Sequence, residues 1–139
     1  VLFALIRSES FFDSDVTSSA GAVGLSQLMT FTAEDVAKRL KKSDYDLTDP
    51  ETNIEFGAWY LGNLISRLDG NYLDAFYSYN AGISRVRKWK QSSAFGFGLK
   101  NIPEDLFLET LPYTETREYG RKLVSATELY KFLYIKDKI

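Results

Sequence analysis

The chain has 139 residues, 45% of them hydrophobic and 26% charged, with a formal net charge of −2. That suits one folded domain and argues against disorder, a basic nucleic-acid-binding face and electrostatic capture by an anionic membrane. There is no cysteine and no histidine, which excludes disulfides, thiolate nucleophiles and any Ser-His-Asp or Cys-His unit, makes a typical zinc site hard to assemble, and leaves proton traffic to carboxylates, tyrosines or lysines.

The sequence opens at Val1 inside an apolar helical pattern and so reads as a fragment of a longer protein. Val1–Ser10 predicts a helix with Leu2, Leu5, Ile6 and Glu9 on or near one face. Phe12–Ser19 carries loop chemistry, and the small residues Ala20-Gly21-Ala22-Val23-Gly24 permit close backbone approach. Leu25–Met29 reads as a short helix or turn. Thr32 is a candidate N-cap for a helix running to about Leu40, and Asp49, with Pro50 after it, caps a long helix to about Leu68. Tyr72–Tyr79 is a further helix, broken near Asn80-Ala81-Gly82. A short amphipathic helix follows over Ser84–Trp89, then a Ser- and Gly-rich loop over Gln91–Gly98. Pro103 opens a helical turn that Leu111-Pro112 interrupts, and Thr114 is a candidate cap for the last helix, to about Tyr134. No strand-like alternation persists, no repeat is present, and no run is long and apolar enough to span a bilayer. The fold class is all-α.

Three places carry candidate chemistry. Glu9 ends an apolar helix and precedes Ser10, Phe11 and Phe12; a carboxyl desolvated among such groups keeps its proton toward neutral pH, as an acid that protonates a glycosidic oxygen must. The run Ser18 to Met29 would let a loop lie close to a ligand, with Gln27 bonding a sugar or acetamido group and Met29 packing on a sugar face. Ser78-Tyr79-Asn80-Ala81-Gly82 sets a phenol and an amide beside a helix break. Taken singly, each has an ordinary structural reading: a solvated Glu, a tight turn and a helix end.

Together, and in this order, Glu9-Ser10, Ala20-Gly21-x-x-Gly24-Leu25-x-Gln27-x-Met29 and Tyr79-Asn80-Ala81-Gly82 resemble the catalytic domain of the soluble lytic transglycosylases, the SLT family with a goose-type lysozyme-like fold. Asp46–Ile54 with Gly57–Leu61 resembles its central helix. Glu109–Tyr113 and Glu115–Tyr119 resemble its C-terminal segment.

The resemblance implies a role for each matching position. Glu9 is the catalytic acid and Ser10 helps to orient it. Gln27 and Met29 form groove wall near the scissile bond, and Tyr79 and Asn80 match the signature that faces the acid. Glu109 and Tyr113 look on to bound sugar or its N-acetyl group. Ser26 and Tyr119 are secondary candidates for contact with substrate, and Arg117 holds the C-terminal helix. The implied partner is the peptidoglycan glycan strand, in the bacterial periplasm or cell envelope, with no metal or cofactor needed. An N-terminal scaffold or a membrane anchor belongs to the full-length protein on this reading. One carboxyl would act twice: Glu9 first protonates the MurNAc–GlcNAc linking oxygen, then takes the proton of the 6-hydroxyl as that oxygen closes on C1 to give a 1,6-anhydro end. Asp13 and Asp15 are the nearby candidates for a second carboxylate, and both read as turn residues. A hydrolytic muramidase and a non-catalytic peptidoglycan-binding module are the alternatives. The chain departs from the family pattern at Ser26, where Met is common, and at Thr30 and Ser14, where Pro is common.

Overall fold

The computed structural model describes residues 1–92 and 103–135. Among them are seven helices, and the β-type pairing consists of two isolated bridges, Thr17 to Val23 and Val23 to Leu28. The all-α expectation holds. The chain divides into two compact units, Val1–Asn63 and Leu64–Ile139. Of the Ser- and Gly-rich loop expected over Gln91–Gly98, Gln91 instead ends a helix, and residues from 93 on lie outside the described residues.

In the first unit, α1 (Leu2–Ser10) buries Ala4, Leu5, Ile6 and Ser10. It stops where Phe11 turns left-handed, at φ 53, and sends its N–H back to the Arg7 carbonyl. Phe12 follows at φ 66. Two successive non-glycine residues in this region are uncommon, and each costs on the order of 1 kcal/mol. Next, α2 (Thr30–Leu40) turns Ala33, Val36 and Ala37 inward, the three-and-four spacing of a helix face. Thr32 does not cap it. The Ala33 N–H already bonds the Met29 carbonyl at 3.0 Å, so the first turn closes earlier and Met29 is the capping residue, without a side-chain bond.

The next helix, α3 (Pro50–Arg67), starts as the sequence indicates. Asp49 accepts the Thr52 N–H at 2.9 Å, with Pro50 at the first helical position where no N–H is needed. Just before it, Asp46 accepts the Thr48 N–H at 2.8 Å and its hydroxyl at 2.7 Å. Both aspartates are held below the ordinary carboxylate range, first by the threonine hydroxyl and then by its backbone N–H.

In the second unit, Asn71 caps α4 (Tyr72–Ala81) by accepting the N–H groups of Leu73 and Asp74. The helix buries Leu73, Ala75, Phe76 and Tyr77 and packs against α5 (Ile83–Gln91) and α7 (Thr114–Tyr134). Gly82, at φ 90, makes the break between α4 and α5. α6 (Glu104–Thr110) packs on α7. Gly120 of α7 admits this closeness: a Cβ there would lie 2.6 Å from the Tyr77 ring and 2.7 Å from Leu108. Burial pushes the Tyr77 phenol far above its ordinary range, with Asp74 as a lesser cause. Asp74 is buried and paired with Lys90, whose ammonium also sits 5.7 Å from the centre of the Phe107 ring.

Candidate active site

Glu9 occupies the last turn of α1, half-buried, with the buried Ser10 beside it. The Ser10 hydroxyl donates to the Ile6 carbonyl at 3.1 Å, so its proton is committed to the helix one turn back. Beyond the left-handed pair Phe11 and Phe12, the chain folds into a bonded loop. Asp13 accepts the Asp15 N–H at 2.9 Å, and Ser14 donates to Asp15 at 3.2 Å, so both aspartates are exposed turn residues, as expected. Gly24 N–H bonds the Val16 carbonyl, and Val23 and Leu28 exchange both backbone bonds.

Gln27, half-buried and left-handed at φ 47, is the strut of this loop. Its amide nitrogen donates to the Val16 carbonyl at 3.0 Å and to the Gly24 carbonyl at 2.9 Å. Both N–H donors are thereby used, and the side chain can offer a ligand only its carbonyl oxygen. Met29 is half-buried at the start of α2. Ser26 is wholly buried: its N–H and its hydroxyl reach Asn53 Oδ1 at 2.8 and 2.6 Å. Asn53, 1% exposed on α3, donates in turn to the carbonyls of Val23 and Leu47, each at 2.9 Å. Gly24 lies so close that a Cβ would stand 2.4 Å from the Asn53 amide nitrogen, and its φ of +71 disfavours any side chain. The sequence offers a generic reason for glycine here; the partner that enforces it, Asn53, stands on a different element, α3. Thr30, at the first position of α2, stands where proline would also be tolerated.

In the second unit the structure gathers some of the candidates and separates others. Asn80 and Tyr113 line one open pocket of about 570 Å³, together with Arg85, Pro112, Glu115 and Thr116. The Thr116 hydroxyl, buried, donates to Asn80 Oδ1 at 2.8 Å, which turns the amide N–H donors away from that bond. Tyr113 is 49% exposed, edge-on to Trp89 at 5.5 Å, with the Arg85 guanidinium 5.7 Å from its ring centre. Arg117 braces this wall by donating to the Leu111 carbonyl at 2.8 Å and the Thr114 hydroxyl at 3.2 Å. Thr114 is thus a partner of Arg117; the cap of α7 is Tyr113, with no side-chain bond. Tyr79 and Tyr119 are half-buried on α4 and α7.

Glu109 is outside the pocket lining. It is exposed and held by Arg121, which donates Nε at 3.0 Å to one carboxylate oxygen and an Nη to the other. That bond to Arg121 keeps the Glu109 carboxyl below its ordinary range. Asn53, Glu115 and Thr116 fall within segments that resemble the family yet carry no role in the sequence reading, and Arg85 lies outside those segments. Arg85 reads there as one of several cations on the solvated face of a short amphipathic helix.

Residues 1–97 match the transglycosylase SLT domain family. The chain is 36% identical over 132 residues to the soluble lytic murein transglycosylase of Salmonella typhimurium, covering 92% of this chain and 20% of that protein. It is 34% identical over 139 residues to the Escherichia coli K12 protein of the same name, covering 97% and 21%. The structure superposes with a TM-score of 0.86 on the lytic transglycosylase Slt of Pseudomonas aeruginosa, solved as an inactive glutamate-to-glutamine mutant, at 35% identity over 95% of this chain and 21% of that one. The lysozyme-like, all-helical fold that the motifs imply is therefore the fold observed. The chain spans about a fifth of the length of these relatives, and on its ordered motifs, its sequence match and its fold it belongs to the transglycosylase SLT domain family.

Proposed function

We propose that this chain is the catalytic domain of a peptidoglycan lytic transglycosylase working in the cell envelope, with Glu9 as its single acid and base. The observation that carries this reading is the match along nearly the whole chain to soluble lytic murein transglycosylases, together with a half-buried Glu9 at the end of an apolar helix. That an inactive form of the Pseudomonas relative is a glutamate-to-glutamine mutant supports giving the chemistry to one glutamate. Glu9 donates its proton to the MurNAc–GlcNAc bridging oxygen while the muramoyl N-acetyl group supports the cationic centre. As a carboxylate it then removes the proton of the 6-hydroxyl, which closes on C1. No water is consumed. Asp13 and Asp15, exposed and bonded within their own turn, favour this single-carboxyl route.

Asn80 and Tyr113 offer amide donors and an aromatic face to the substrate, and Met29 supplies apolar contact. Gln27 and Ser10 act mainly by fixing the backbone around the acid. Tyr79, Glu109 and Tyr119 remain contacts that the family pattern assigns to substrate. In the full-length protein, a scaffold or membrane anchor completes the assembly.

A digest of purified peptidoglycan, read by mass spectrometry, tests the reading. Wild type yields anhydro-ended muropeptides, and Glu9→Gln lowers their rate by about a thousandfold. Products one water heavier establish a hydrolase instead, and sugar binding without any product establishes a binding module.

A further inference from the structure

The pocket in the second unit holds a cation that the glycan chemistry does not use. Arg85 is exposed and lines the pocket with Asn80, Pro112, Tyr113 and Thr116. Like several other exposed cations, it forms no ion pair with any described residue; what sets it apart is its place in the pocket lining. Among the described residues its hydrogen bond is a long one, 3.4 Å to the Ala81 carbonyl. The Tyr113 ring, 5.7 Å away, supports the guanidinium, and such contact leaves the edge N–H groups available for a bidentate acceptor. Beside it, Asn80 has its carbonyl oxygen occupied by Thr116 and its N–H groups left for the same acceptor.

A guanidinium can donate to sugar hydroxyls and acetamido carbonyls, but its planar fork matches the two oxygens of a carboxylate best. Where a peptide is attached to the glycan, the lactyl carboxyl is an amide, so the anionic groups left are the carboxylates of the peptide itself. We infer that Arg85 takes a carboxylate of the peptide stem, with Asn80 as second donor and Tyr113 as the surface beneath it; this rests on the glycan-cleaving reading above. Glu115 lines the same pocket and balances Arg85 in charge, so the pocket does not attract anions from a distance. It discriminates by contact, as a paired fork and carboxylate do.

Soluble muropeptide oligomers with stem carboxylates either free or converted to methylamides provide the test. The ratio of kcat/KM for the two forms is measured for wild type, Arg85→Gln, Arg85→Lys and Lys122→Gln, the last an exposed cation of α7 outside the pocket lining. Wild type favours the free form by about tenfold, the size expected for a charge-assisted bond at a partly exposed site. Arg85→Gln loses that preference through KM, Arg85→Lys keeps part of it, and Lys122→Gln keeps all of it. A wild type without preference overturns the inference, as does a preference that survives in Arg85→Gln. If wild type cleaves neither form, the glycan-cleaving reading fails by itself. The same two ligands are then compared by calorimetric binding, where loss of preference in Arg85→Gln upholds the carboxylate site and its persistence overturns it.

Discussion

Asn53 uses both hydrogen-bonding ends of its side chain: Oδ1 accepts twice from Ser26, and Nδ2 donates to Val23 and Leu47. Removing it strands the Leu47 carbonyl and the Ser26 N–H, at about 1–3 kcal/mol each, and leaves the Val23 carbonyl with the Leu28 N–H alone. Asn53→Ala is therefore expected to lower unfolding free energy by about 3 kcal/mol, seen as a reduced urea midpoint. Asn53→Asp, which cannot donate, should do no better. Ser26→Met restores the residue common in related loops, yet at a site of zero exposure it adds volume and deletes two bonds. The expected loss is about 1–3 kcal/mol, and a neutral result in the same titration would show that the pocket around Ser26 can relax. Glu109 carries a pH signature. Its folded carboxyl titrates below the ordinary range because Arg121 bonds it, so as pH falls the unfolded chain takes up the proton first. The stability from this pair is present above the ordinary carboxylate pKa and is lost as pH falls through the folded one. Thermal melts of wild type and Glu109→Gln should thus differ near neutrality and converge in acid.

At the scale of elements, Gly120 sets the distance between α7 and its neighbours. Alanine would raise helix propensity by about 1 kcal/mol, but its methyl group meets the buried Tyr77 ring at 2.6 Å. Overpacking of about 1–3 kcal/mol wins, and Gly120→Ala should melt at lower temperature. Helix existence was legible throughout, because apolar spacing of three and four survives in every segment; the Asp49-Pro50 start of α3 was legible because its cap is local. The starts of α2 and α7 were not. Thr32 and Thr114 look like caps, yet the backbone closes earlier at Met29 and Tyr113. The candidate site was legible in part for the same reason. Motifs single out Glu9 and Asn80 as candidates, whereas the Asn53–Ser26 clamp and the Asn80–Thr116 bond of the Arg85 pocket join residues 27 and 36 positions apart, and no local pattern encodes them.

For the molecule as a whole, no described helix is long and apolar enough to cross a membrane. The end of α7 does expose Phe132 at 80% and Tyr134 at 75%. Phe132→Ser is expected to change stability by less than about 0.5 kcal/mol, measured by urea unfolding, since little is buried there to lose. The molecule also contains its own gauge of how its stability is distributed. The two Asn53 side-chain amide protons are sealed from water and bonded to carbonyls of the loop before Ser26 and of the segment before α3. Deuterium can replace them only when that loop lifts. Their exchange rate, set beside that of the α3 backbone amides in one NMR spectrum, would therefore report the free energy of opening the loop alone. A ligand that binds there should slow this clock before it shifts any melting curve.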